Sequence, residues 1–121
     1  MSKILIVEDN DLNFLLANDI LTAHHYEVQR AVDCDSFFRT LETYSPDLIL
    51  MDIGLPGFSG IDCYKLLRQR SQFDQVPVYA LTASVMPDQI KKILEAGFNG
   101  VIDKPIRLNP FIAKIQEILQ S

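Results

Sequence analysis

Tryptophan is absent from the 121 residues, cysteine occurs twice, and no apolar run exceeds six residues. A helix that crosses a bilayer needs roughly 20 consecutive apolar positions, so no such span is expected. Met1-Ser2-Lys3 leads straight into an apolar run and not into the long apolar core of a secretory signal. A cytoplasmic protein is the expectation. Cys34 and Cys63 stand isolated, with neither a CxxC pair nor a disulfide framework, and two free thiols in a reducing compartment are expected. Positive charge is also scarce: 11 Lys and Arg stand against 16 Asp and Glu, for a net charge of -5, and nothing basic clusters. That balance excludes the electrostatic footprint of direct nucleic-acid or anionic-membrane binding. There is no repeat, linker or low-complexity tract, and 48% apolar residues suffice for one core, so a single domain over residues 1–121 is expected.

What the chain does have is alternation. Lys3-Ile4-Leu5-Ile6-Val7 is a β-branched, apolar strand pattern that exits into Glu8-Asp9-Asn10-Asp11. A helix is expected from Asp11, capped by Asn10 or Asp11 and closed at His24-His25, with Leu12, Leu16, Ile20 and Ala23 as its core stripe. Phe14 and Leu15 fall off that stripe and could serve a docking partner. Glu27–Val32 suits a strand at or near a sheet edge, and a helix from Asp33 or Asp35 then runs through Phe37, Phe38, Leu41 and Tyr44 until Ser45-Pro46 stops it. Leu48-Ile49-Leu50-Met51-Asp52 reads as a strand buried on both faces, ended by a carboxylate and a Gly/Pro loop. Ser59 and Asp62 have the capping-box form, opening a helix to about Arg70. A fourth strand spans Val76–Leu81 and runs out into Thr82. Pro87 opens a helix that buries Ile90, Ile93 and Leu94 and stops at Gly97. Gly100-Val101-Ile102-Asp103 is a short fifth strand with Lys104-Pro105 at its exit. A last helix from about Asn109, with Pro110 at its first position, presents Phe111, Ile112, Ile115, Ile118 and Leu119. Five strands alternating with five helices predict an α/β, doubly wound flavodoxin-like (βα)5 fold with a five-stranded parallel sheet.

In a parallel sheet all carboxyl ends share one edge, so Glu8-Asp9, Asp52, Thr82 and Lys104 should meet there. If the strand order is 2-1-3-4-5, the acids converge at the switch point between the first and third strands. Carboxylates that close raise one another's pKa unless a cation sits among them. An all-oxygen donor set favours Mg²⁺, and the lack of nearby Cys or His argues against zinc. Beside such a cation Asp52 could attack phosphorus, with the Lys104 ammonium and the Thr82 hydroxyl stabilising the transferred group. Each residue alone could be a helix cap or a solvated side chain; five on four strand ends are hard to assign to capping.

Glu8-Asp9-Asn10, the Leu50-Met51-Asp52-Ile53-Gly54-Leu55-Pro56 stretch with Gly60, Leu81-Thr82-Ala83, Ala96-Gly97 and Lys104-Pro105 together resemble the receiver domain of two-component response regulators over essentially the whole chain. The Glu8-Asp9-Asn10 start with Asn13 is similar to receivers of hybrid kinases and of stand-alone phosphorelay regulators. The resemblance implies that Asp52 is the phosphoacceptor, charged from a phosphohistidine on a sensor histidine kinase or a histidine phosphotransfer protein, and that the domain then switches contacts with a downstream effector protein. It implies Mg²⁺ held by Glu8, Asp9, Asp52 and the backbone carbonyl of Gly54, phosphoryl contacts from Thr82 and Lys104, a cis Lys104-Pro105 bond, and a monomer or weak dimer. The protein would assist its own phosphorylation and dephosphorylation without being an enzyme in the ordinary sense. Receivers commonly carry an aromatic residue three positions before the lysine, and Val101 stands here instead. A valine has no ring to swing inward, so a switch would rest on the loops around Thr82 and Phe58.

Three other readings compete. A flavodoxin-like nucleotide-binding domain would need a phosphate loop after the first strand, where Glu8-Asp9-Asn10-Asp11 repels phosphate. An aspartyl-phosphate hydrolase would need an acid two positions after the nucleophile, where Gly54 stands. A degenerate receiver, used as a docking module without phosphorylation, would not need all five chemical residues.

Overall fold

A computed structural model describes residues 1–84 and 86–120. The element order is β1 (Lys3–Val7), α1 (Asp11–Ala23), β2 (Glu27–Ala31), α2 (Cys34–Leu41), β3 (Leu48–Asp52), α3 (Gly60–Leu67), a short 3-10 turn (Ser71–Phe73), β4 (Val78–Thr82), α4 (Pro87–Ala96), β5 (Gly100–Asp103) and α5 (Leu108–Gln120). The strands form one sheet in the order β2-β1-β3-β4-β5, and every pairing is parallel. This is the predicted doubly wound architecture, with β2 at an edge.

The two-residue period of the central strands sorts their side chains between two cores. Leu5, Val7, Ile49 and Met51 face α2, α3 and α4, where Phe37, Leu67 and Ile93 meet them. Ile4, Ile6, Leu48 and Leu50 face α1 and α5, against Leu21, Phe111 and Ile115. All eight strand residues are fully buried. At about 1.5–3 kcal/mol per buried large apolar side chain, these strands dominate the apolar gain and fix the register.

Several expectations shift. The core face of α1 is Ala17, Ile20 and Leu21, with Phe14 half-buried beside them, while Leu12, Leu16 and Ala23 of the expected stripe are exposed. The helix has apolar residues nearly all round its first turns, so periodicity alone could not choose the face. In α4 only Ile93 is buried, Ile90 is half-buried and Leu94 is exposed. Helices α2 and α3 each end three residues before the expected stop, α2 at Leu41 and α3 at Leu67. Pro110 is the third residue of α5, not the first.

The cysteines are the clearest correction. Cys34 and Cys63 are joined in a disulfide with Cα atoms 5.8 Å apart. Spacing along the chain hid this, because α2 and α3 pack side by side on one face of the sheet and bring both buried cysteines into one core. Asn10 caps α1 as read, its Oδ1 accepting from the Asn13 amide, whereas the full capping box forms at Asp33 with Ser36 and the one expected at Ser59 and Asp62 shows its Ser59 half, Ser59 Oγ accepting from the Asp62 amide. Gly97 ends α4 at φ 116°, a conformation that favours glycine, and His25 follows α1 at φ 69°. The Lys104-Pro105 bond is cis. Among the described residues, no helix is long and apolar enough to cross a membrane.

Candidate functional site

Four strand ends build the site. β1 delivers Glu8 as its ladder continues one residue past Val7, the Glu8 amide donating to Ala31 O at 2.9 Å. β3 delivers Asp52, and its exit stays zipped to β4 through the Ile53 amide on Leu81 O at 3.1 Å. β4 ends in Thr82, whose carbonyl accepts from the Lys104 amide at 2.9 Å as β5 runs out. Parallel pairing therefore places all four exits on one edge, as the order of the elements predicts.

Glu8, Asp9 and Asp52 each offer a carboxylate oxygen within 4.8 Å of the others. Glu8 and Asp52 are buried and Asp9 is exposed, which leaves the cluster open on one side. Lys104 Nζ bridges the two buried acids, 2.7 Å from Glu8 Oε1 and 3.2 Å from Asp52 Oδ1. The Gly54 amide donates to the same Asp52 oxygen at 3.0 Å. Thr82 Oγ1 accepts from the Ser84 amide at 3.1 Å and donates to Ser84 O at 3.2 Å, so the hydroxyl is held at the mouth of β4. The structure thus assembles Glu8, Asp9, Asp52, Gly54 and Lys104 and sets Thr82 on the strand between Asp52 and Lys104. Val101 is half-buried in β5 against the core shared by α2, α3 and α4.

The electrostatics follow from burial. Desolvation, helped by the hydrogen bond with Asp52, pushes the Glu8 pKa up, and Lys104 opposes this only in part. For Lys104 burial works in the opposite sense, disfavouring the ammonium, but the hydrogen bond to Glu8 and the charges of Asp52 and Glu8 outweigh it and raise its pKa. Three carboxylates converge here, and the Lys104 ammonium pairs with two of them, Glu8 and Asp52. The excess is negative and its donors are hard oxygens, with Glu8 Oε1 held by the Lys104 ammonium at 2.7 Å. The residues therefore fit a hard divalent cation that keeps part of its water shell.

Two residues at this edge have a role that the sequence reading does not assign: Gly60 stands there only as part of the motif, and Arg30 only as part of a strand. Gly60, at the start of α3, has no room for a side chain, since a Cβ there would lie 2.2 Å from the Asp52 carbonyl oxygen. Arg30 near the end of β2 donates from Nε to the Glu8 carbonyl oxygen at 3.1 Å and pairs through Nη2 with Asp11 at 2.9 Å. Arg30 sits in an alternating edge strand with no motif around it, so only the β1–β2 register shows what it faces.

The chain is similar to known proteins over almost its whole length. The response regulator receiver domain profile matches residues 4–116. The polar-differentiation response regulator DivK of Brucella anthropi is 37% identical over 117 residues, covering 97% of this chain and 95% of that one. The receiver domain of a sensor histidine kinase from Pseudomonas aeruginosa, solved with a magnesium ion coordinated in its active-site cleft, is 30% identical with a TM-score of 0.89 over 99% of this chain and 98% of that one. The chemotaxis response regulator CheY4 of Vibrio cholerae shares the fold at a TM-score of 0.91 and 24% identity, covering 98% of each chain. With the family profile spanning nearly every residue and the acids, threonine and lysine on the strand ends that the fold brings together, the chain belongs to the response regulator receiver domains of two-component systems.

Proposed function

We propose that this receiver domain takes a phosphoryl group onto Asp52 from a phosphohistidine of a sensor histidine kinase or a histidine phosphotransfer protein, in the cytoplasm, and passes the change on to an effector protein as a monomer or weak dimer. The observation that carries the reading is the convergence of Glu8, Asp9 and Asp52 within 4.8 Å, with Lys104 3.2 Å from Asp52. Glu8, Asp9, Asp52 and the Gly54 carbonyl would hold Mg²⁺, which supplies charge neutralisation at the phosphoryl oxygens. Asp52 supplies the attacking oxygen: an O–P bond forms as the P–N bond to the donor imidazole breaks, and the imidazole takes a proton from solvent. The Gly54 amide and Lys104 orient the carboxylate. Lys104 would then pair with the new phosphoryl oxygens, and the Thr82 hydroxyl would donate to one of them. Hydrolysis of the acyl phosphate returns the resting state, so the protein takes part in its own phosphorylation and dephosphorylation without turning over a separate substrate.

The test is incubation with Mg²⁺ and acetyl phosphate followed by intact mass measurement. Wild type gains one phosphoryl group and Asp52→Asn gains none. Labelling of Asp52→Asn to the wild-type extent would refute the assignment, and no labelling of wild type would favour the docking-module reading.

A further inference from the structure

We infer that Arg30 is the positioning residue of the metal-binding turn, an inference that rests on the reading above. The turn from Glu8 to Asp11 carries two of the three acids, and Arg30 grips it at both ends. Its Nε donates to the Glu8 carbonyl at 3.1 Å and its Nη2 meets Asp11 Oδ1 at 2.9 Å. The neighbouring Ala31 carbonyl takes the Glu8 amide at 2.9 Å, so β2 holds Glu8 by its N–H and its C=O together. The Glu8 carbonyl and the Asp9 amide belong to one planar peptide unit, and fixing that plane sets the direction in which Asp9 leaves the strand. Asp9 is the exposed member of the acid cluster and has least packing of its own to place it. Its other flank is fixed as well, because Asp11 begins α1 and Asn10 caps it.

The grip needs arginine. The planar guanidinium makes one directed hydrogen bond, from Nε to Glu8 O, while its charge reaches Asp11 as an ion pair through Nη2, and its Cζ lies over the Phe14 ring, 4.8 Å from the centroid. Only 24% of the side chain is exposed, against 85% for Asp11, so the arginine is the anchored partner. A lysine would keep the charge and lose the planar group. Positioning and bare charge predict opposite signs: loosening the turn weakens cation binding, whereas removing a positive charge beside an acid cluster strengthens it.

The experiment titrates Mg²⁺ into the metal-free full chain and follows the Asp9, Asn10 and Gly54 amide resonances. Arg30→Ala should weaken Mg²⁺ about tenfold, at the low end of what losing an outer partner of a metal ligand typically costs. Arg30→Lys should weaken it in the same direction, and Asp11→Asn, which leaves the Glu8 contact in place, by less. Acetyl phosphate labelling of Arg30→Ala should slow at limiting Mg²⁺ and recover once Mg²⁺ saturates the variant, a recovery that general structural damage would not show. Unchanged or tighter Mg²⁺ binding by both Arg30 variants overturns the inference while the phosphoacceptor reading stands. If Arg30→Ala fails to fold, Arg30→Lys and Asp11→Asn carry the same expectations. Absence of saturable Mg²⁺ binding by wild type overturns the metal reading and this inference with it.

Discussion

Glu8 lies almost wholly out of water with Lys104 Nζ 2.7 Å away, and desolvation still wins, leaving its pKa above the ordinary 4.5. A carboxyl whose folded pKa is raised contributes stability that is complete below its unfolded pKa and lost as pH rises through the folded value. Lys104 is raised too, and its contribution, present below 10.5, is lost only as pH rises through its higher folded value. Without metal, ionising Glu8 therefore costs stability, while the Lys104 contribution holds up to its own raised value. A divalent cation needs the ionised acid, so the gain in melting temperature on adding Mg²⁺ should grow as pH rises above the ordinary 4.5 and through the raised Glu8 value. At a hundred times Kd that gain is about 2.7 kcal/mol, on the order of 10 °C for a domain of this size. Melts with and without MgCl2 across this range check it, and Glu8→Gln should lose most of the gain.

At the scale of elements, the first turn of α3 is packed against the backbone that carries Asp52, the proposed phosphoacceptor. Gly60 donates its amide to the Ile53 carbonyl at 2.9 Å and leaves no space for a Cβ, which would meet three backbone atoms of Asp52 and Ile53 at 3.0 Å or less. The need here is close approach and not unusual torsion. Gly60→Ala must push α3 away from β3 or distort the exit of the strand, at a cost of roughly 1–3 kcal/mol or more. Chemical denaturation should show that loss. Because Asp52 moves with the strand, acetyl phosphate labelling should fall even where the variant remains folded. Ser59 just before Gly60 caps the same helix, so the loop from Asp52 to α3 is fixed at both ends while Phe58 between them stays exposed.

Over the whole molecule, exposed apolar surface gathers on α1 next to the acid edge. Leu12, Leu15 and Leu16 are 76%, 50% and 43% exposed, and Phe14, half-buried under Arg30, belongs partly to the core. The docking patch expected from Phe14 and Leu15 is therefore better described by the three leucines. Exposed leucines on a helix that starts two residues after Asp9 suit contact with the proposed phosphohistidine donor. Leu12→Ala with Leu15→Ala should slow transfer from a phosphohistidine donor several-fold while acetyl phosphate labelling keeps its wild-type rate. Equal loss in both assays would rule the patch out.

The fold was legible because it rests on local signals. Buried strands at Ile4–Val7 and Leu48–Met51, caps at Asn10, Asp33 and Ser59 and the stop at Gly97 are each readable within a few residues, and alternation of strand and helix then leaves few topologies. The candidate site was legible for the same reason, since a parallel sheet sends every strand exit to one edge whatever the distance along the chain. Tertiary structure alone decided which face of α1 goes inside, because apolar residues ring its first turns and only packing on the sheet separates Ala17 and Leu21 from Leu12 and Leu16. It alone joined Cys34 to Cys63 and brought Arg30 to the Glu8 carbonyl, since both contacts arise between neighbouring elements whose register no local pattern encodes.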